Sequence, residues 1–119
     1  MGPFHKPNAP ARSSVGTGYV LQGVVRSSKD CAPIGGAMIE LWQAGPGSAG
    51  YDDAHRATLF ADATGVYRFE SNFPPPIEGR PPHIHLKVSA KGFATIVTQH
   101  YPVAGANNAL FDIVLVPSR

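Results

Sequence analysis

The chain has a single cysteine, Cys31, in 119 residues, which excludes an internal disulfide and a thiol cluster for metal. It stands in the turn-like run Asp30-Cys31-Ala32-Pro33 and reads as a structural bystander, since activation of a thiol needs a base or cation brought beside it by the fold. No hydrophobic run approaches the length of a membrane span, and the N-terminal MGPFHKPNAPARSS lacks the apolar core of a signal peptide. The chain is therefore expected to be cytoplasmic if complete, and secreted if it is a trimmed mature domain. Charge of one sign is scarce as well. The net charge is +2 and the ten cations are spread singly, so no basic stripe argues for nucleic acid or a membrane surface as a partner.

Glycine and proline are abundant, 13 and 12 residues, and they multiply turns and disfavour long helices. A length of 119 residues suits one domain with a modest two-layer core. Residues 1–18 are expected to form an extended N-terminal arm and residues 19–119 a single domain. Apolar, β-branched runs at 19–26, 93–101 and 110–116 read as strands, and Gly23 inside the first marks a bulge or a close backbone approach. The run 37–43, AMIELWQ, has helical propensity, but its brevity and its glycine fences favour a strand. Asp62-Ala63-Thr64-Gly65 between the runs 58–61 and 66–70 reads as a hairpin turn, with Tyr67 and Phe69 on the core face of the second arm. Short strands at turn-separated intervals, with no long helical pattern, predict an all-β fold, an antiparallel β-sandwich.

The stretch 73–88, FPPPIEGRPPHIHLKV, carries the chemistry. Its alternation puts Ile84, Leu86 and Val88 on one face and His83, His85 and Lys87 on the other. Residues two apart on a strand stand side by side, so both imidazoles can reach one metal ion, although an isolated H-x-H also occurs as two polar residues on a solvent face. Tyr51, in the glycine-rich excursion 44–53, can supply a phenolate, a hard donor suited to ferric iron, or can simply pack. Arg80, at the mouth of the histidine strand, can stabilise an anion on a bound substrate. On the run 93–101 the period of two separates Gln99 and Tyr101 from His100, so a site lined by Gln99 excludes His100. His55, Asp52, Asp53 and Glu78 are expected to be solvated, and His5 could dock with the arm.

Taken in order, these segments resemble the intradiol ring-cleavage dioxygenases, non-haem ferric enzymes that act on catechols. The likeness runs through Gly2-Pro3-Phe4-His5-Lys6-Pro7, Gly23-Val24-Val25, Cys31-Ala32-Pro33-Ile34-Gly35-Gly36-Ala37 and Glu40-Leu41-Trp42-Gln43-Ala44. It continues through Gly50-Tyr51-Asp52, the run from Ala61 to Phe69, Arg80-Pro81-Pro82-His83-Ile84-His85 and Thr98-Gln99-His100-Tyr101. The resemblance implies a β-sandwich whose iron is held by Tyr51, His83 and His85, with Arg80 and Gln99 lining the substrate pocket. The family's second tyrosine ligand falls at Ile77 here, within Pro74-Pro75-Pro76-Ile77. Isoleucine neither ligates nor accepts a proton, so the resemblance implies three protein ligands. Fe3+ is the expected ion, with Fe2+, copper or zinc admitted by the lost anionic donor.

Two functions follow from the resemblance. The first is a dioxygenase that takes a small aromatic diol and dioxygen and cleaves the ring between the hydroxylated carbons, with Arg80 and Gln99 in catalytic roles and Ile77 shaping the substrate space. The alternative is a dioxygenase-like module that binds a metal or an aromatic ligand without turnover. The arm suggests a homodimer.

Overall fold

The computed structural model describes residues 6, 8–45, 53–77 and 79–118. Within them run the strands β1 (Tyr19–Ser27), β2 (Met38–Gln43), β3 (Arg56–Phe60), β4 (Val66–Ser71), β5 (Ile84–Ser89), β6 (Ile96–His100), β7 (Asn108–Leu110) and β8 (Ile113–Leu115), with one 3-10 turn at Asp53–His55. They form two four-stranded sheets. The first has the order β4-β1-β7 with β8 also on β1, and the second has the order β3-β2-β5-β6. This is the β-sandwich that the strand pattern predicts.

Each sheet gives one face to a shared core, because a strand's side chains alternate and only one set can leave water. β1 shows the alternation over its whole length, with Tyr19, Leu21 and Val25 buried. Tyr67 and Phe69 of β4 join them, and Ile39, Leu41, Ile84, Leu86 and Val88 close the core from the second sheet. Each fully buried aliphatic side chain here stabilises the fold by about 1.5–3 kcal/mol. The helical propensity of β2 is overridden because both its edges are paired, with β3 and with β5.

Three local expectations are revised. The turn at Asp62 forms, with Gly65 at φ 79° and the Asp62 carboxylate accepting from Thr64 N (2.8 Å), Thr64 Oγ1 (2.7 Å) and Val66 N (3.0 Å). It is not a hairpin, however: β3 pairs with β2 and β4 with β1, so the turn carries the chain from one sheet to the other. The run 93–101 is regular only over Ile96–His100, and Phe93 makes an isolated bridge to Pro117. The run 110–116 divides into β7 and β8, both parallel to β1, with Leu110 opposite Gln22 and Ile113 opposite Val25.

Gly23 lies at that division, and the close approach expected of it is present. A Cβ on Gly23 would stand 2.7 Å from the Phe111 carbonyl carbon, where real contacts stay above 3.0 Å. The same carbonyl accepts a hydrogen bond from the Tyr67 hydroxyl, at 2.5 Å. Asp112 completes the crossing, its Oδ1 accepting from Val24 N at 2.9 Å.

The N-terminal segment lies across the edges of both sheets. Arg12 N donates to Thr58 O at 3.0 Å and Thr58 N to Pro10 O at 2.9 Å, on β3. Val15 N then donates to Glu70 O and Glu70 N to Ser13 O, each at 2.9 Å, on β4. Unpaired strand edges invite pairing with other chains, and this segment covers one edge of each sheet.

Candidate functional site

The site is built on the outer face of the second sheet. Arg56, Trp42, His85 and Gln99 are successive register partners across β3, β2, β5 and β6, so they form one rung of side chains. His83 and Tyr101 stand two residues along on the same face. The entry to β5 is set by a tight turn in which Arg80 N donates to Ile77 O at 2.8 Å and Ile77 N to Arg80 O at 3.2 Å. Gly79 supplies the φ of 75° that this turn requires.

Both imidazoles are buried. The Trp42 ring lies parallel to His85, 5.0 Å between centres and 3° between planes, and so sets its orientation. His83 stands at 80° to His85 with ring centres 4.8 Å apart. Its Nδ1 lies 2.8 Å from Pro81 O. A carbonyl can only accept, so Nδ1 carries the proton and Nε2 is the ring nitrogen with the lone pair. Burial, and then the charges of His83, Arg80 and Arg56, push the His85 pKa down to about 4, so His85 is neutral near pH 7.

These features suit an imidazole-bound transition metal. Two imidazoles that share an ion at right angles, each nitrogen about 2.1 Å from it, stand with ring centres about 4.6 Å apart. The observed separation of 4.8 Å is close to that spacing. Among the described residues no group of three His, Cys, Asp or Glu side chains converges. Tyr51, named as a metal ligand from the sequence, lies outside the described residues, as do His5, Asp52 and Glu78.

Arg80 and Gln99 meet. The Arg80 Nη2 donates a short hydrogen bond to Gln99 Oε1 and a second, at 3.1 Å, to the Tyr101 hydroxyl, which itself donates to Gln99 Oε1 at 2.7 Å. The Tyr101 ring centre is 6.2 Å from that of His83. Ile77 is buried, its backbone bonded to Arg80. His100 points to the core face, where its Nε2 is 2.7 Å from the Tyr19 hydroxyl, so it is separated from Gln99 as the period of two requires. His55, expected in solvent, is half-buried with its ring against Gly45.

Tyr101 and Trp42 were given no part in the site by the sequence reading. The signal for Tyr101 was present, since it shares a strand face with Gln99. Trp42 had none, because its place over His85 depends on the register between β2 and β5.

The buried histidines predict an acid-sensitive metal-free protein. Burial lowers the His100 pKa as well as that of His85, so below pH 6.5 the unfolded chain binds more protons than the folded one. Stability is therefore full above 6.5 and falls as the pH drops toward 4, by about 3 kcal/mol for His85 alone at about 1.4 kcal/mol per unit. Urea midpoints of metal-free protein at pH 7 and 4.5 measure this. Equal midpoints would show that the rings are protonated without cost.

Fold and site together define a β-sandwich with a buried imidazole pair and a guanidinium, amide and phenol on the same sheet face. No family model matches the chain. Its curated relatives include catechol 1,2-dioxygenase of Candida albicans, 29% identical over 140 residues, 85% of this chain and 45% of that protein. Chlorocatechol 1,2-dioxygenase of a Pseudomonas species is 30% identical over 134 residues, 85% of this chain and 53% of that protein. The chain spans about half the length of these relatives. Among solved structures, the dioxygenase domain of a dioxygenase carbohydrate-binding protein fusion from Streptomyces superposes with a TM-score of 0.83 at 28% identity, covering 98% of this chain and 95% of that one. The chain belongs to the intradiol ring-cleavage dioxygenase family.

Proposed function

We propose that this chain is a catechol-directed intradiol dioxygenase whose metal is held by Tyr51, His83 and His85. The observation that carries this reading is the buried histidine pair, its rings 4.8 Å apart at 80°, with the Arg80 and Gln99 group on the same sheet face. Iron at that pair would supply the Lewis-acid and redox chemistry that lets a catechol react with dioxygen. In the overall reaction the bond between the two hydroxylated carbons breaks and both oxygen atoms enter a muconate-type diacid.

The residues of the chain have separable tasks. Pro81 O fixes the His83 tautomer and Trp42 fixes the plane of His85, so neither ring has to reorganise when a ligand arrives. The Arg80 guanidinium and the Gln99 amide bind and orient the diol, and the guanidinium stabilises negative charge as it develops on the ring. Ile77 places an apolar, buried side chain where the family resemblance has a proton-accepting tyrosine, so the substrate's protons leave to water.

Oxygen uptake by iron-loaded protein on a panel of catechol, chlorocatechol and hydroxyquinol tests the proposal. Uptake matched by diacid formation is the expected result, with a visible phenolate-to-iron band from Tyr51 that shifts when catechol is added. Uptake no greater than that of metal-free protein overturns it. Binding of 4-nitrocatechol without uptake would instead identify a binding module, and turnover by a colourless protein would remove Tyr51 from the ligand set.

A further inference from the structure

Gln99 Oε1 has two lone pairs, and both are taken, one by Arg80 Nη2 and one by the Tyr101 hydroxyl at 2.7 Å. The direction of each bond in this three-membered ring is fixed. Arginine has no acceptor, so Arg80 donates to both partners, and the Tyr101 hydroxyl, already accepting from Arg80 at 3.1 Å, must donate to Gln99. Turning the amide over would set Nε2 against the Arg80 donor and forfeit the hydrogen bond from Tyr101, so the pair holds the amide in this orientation. Its NH2 group points away from Arg80 and Tyr101 and makes no hydrogen bond to the described residues, and neither do Arg80 Nε and Nη1.

We propose that Tyr101 is a positioning residue that locks the Gln99 amide with its NH2 group toward bound ligand, so that this wall of the site offers only donors and selects an oxygen anion on an aromatic ring. The inference rests on the dioxygenase reading and adds to it a residue and a polarity. Arg80 alone would hold one lone pair of Oε1 and leave the amide free to swing. The phenol occupies the second and closes the triangle, and it comes from the same strand face as Gln99, two residues on. Tyr101 is 50% exposed, so its hydroxyl can be removed without opening the core.

Two kinds of measurement test this. In zinc-loaded, 15N-labelled protein, 4-nitrocatechol is expected to shift both the ring signals of His83 and His85 and the side-chain NH2 pair of Gln99. Histidine shifts without movement of the Gln99 pair would overturn the inference and leave the proposed site standing, whereas movement of neither would remove the site itself. In iron-loaded protein, Tyr101→Phe is expected to lower kcat about tenfold, the worth of one oriented hydrogen bond, with KM within about threefold and the thermal midpoint unchanged. Gln99→Glu keeps an oxygen for Arg80 and Tyr101 but turns the ligand-facing donor into an acceptor, and should weaken 4-nitrocatechol binding by at least about a hundredfold. Wild-type kcat in Tyr101→Phe, or retained affinity in Gln99→Glu, sinks the assignment.

Discussion

Replacing His85 by alanine should abolish stoichiometric iron binding and lower oxygen uptake by at least about a hundredfold, since even the partners that orient metal ligands cost about 10–100-fold when removed. His85 is one of the two paired imidazoles proposed to hold the metal, and its loss leaves only His83 of that pair. It also removes the surface on which Trp42 lies, 5.0 Å from the lost ring, so some destabilisation will accompany it. His83→Ala separates the two effects, because His83 is held by Pro81 O and does not carry the tryptophan stack. Elemental analysis, circular dichroism and oxygen uptake on both variants decide the matter. A folded His85→Ala protein that keeps its iron and its turnover would place the metal elsewhere.

Gly23→Ala should be the most damaging single-methyl change outside the site, at about 1–3 kcal/mol, a large share of the roughly 5–15 kcal/mol that holds a domain together. The added carbon would press on the backbone carbonyl of Phe111, not on a side chain that could rotate away. Moving that carbonyl also breaks the bond it accepts from the Tyr67 hydroxyl. Urea unfolding should show a lower midpoint with an unchanged slope, and a double-mutant cycle with Tyr67→Phe should show coupling between the two sites. A loss below about 0.5 kcal/mol would mean that β7 and β8 can shift outward at little cost.

The histidine strand was legible because its information is local. Alternation alone assigns Ile84, Leu86 and Val88 to the core and His83 and His85 to the other face, and burial of the apolar set holds the register. The same rule separated Gln99 from His100, and His100 lies in the core against Tyr19. The hairpin at Asp62 was misjudged for the complementary reason. A turn's residues specify how the chain reverses, and they do not say which sheet each flanking strand joins. The break between β7 and β8 was hidden too, since it comes from Phe111 crossing Gly23, a residue far away in the chain.

By itself the sequence determined the strand periods, the turn residues, the family resemblance and the pairing of two imidazoles two residues apart. Tertiary structure alone decided that Trp42 would lie flat on His85, that Arg56, Trp42, His85 and Gln99 would share one rung, and that Arg80 would meet Gln99 and Tyr101. The reason is the reach of each constraint. Which face a side chain takes follows from its neighbours two residues away, whereas which residue stands opposite it depends on the pairing of strands separated by loops of variable length.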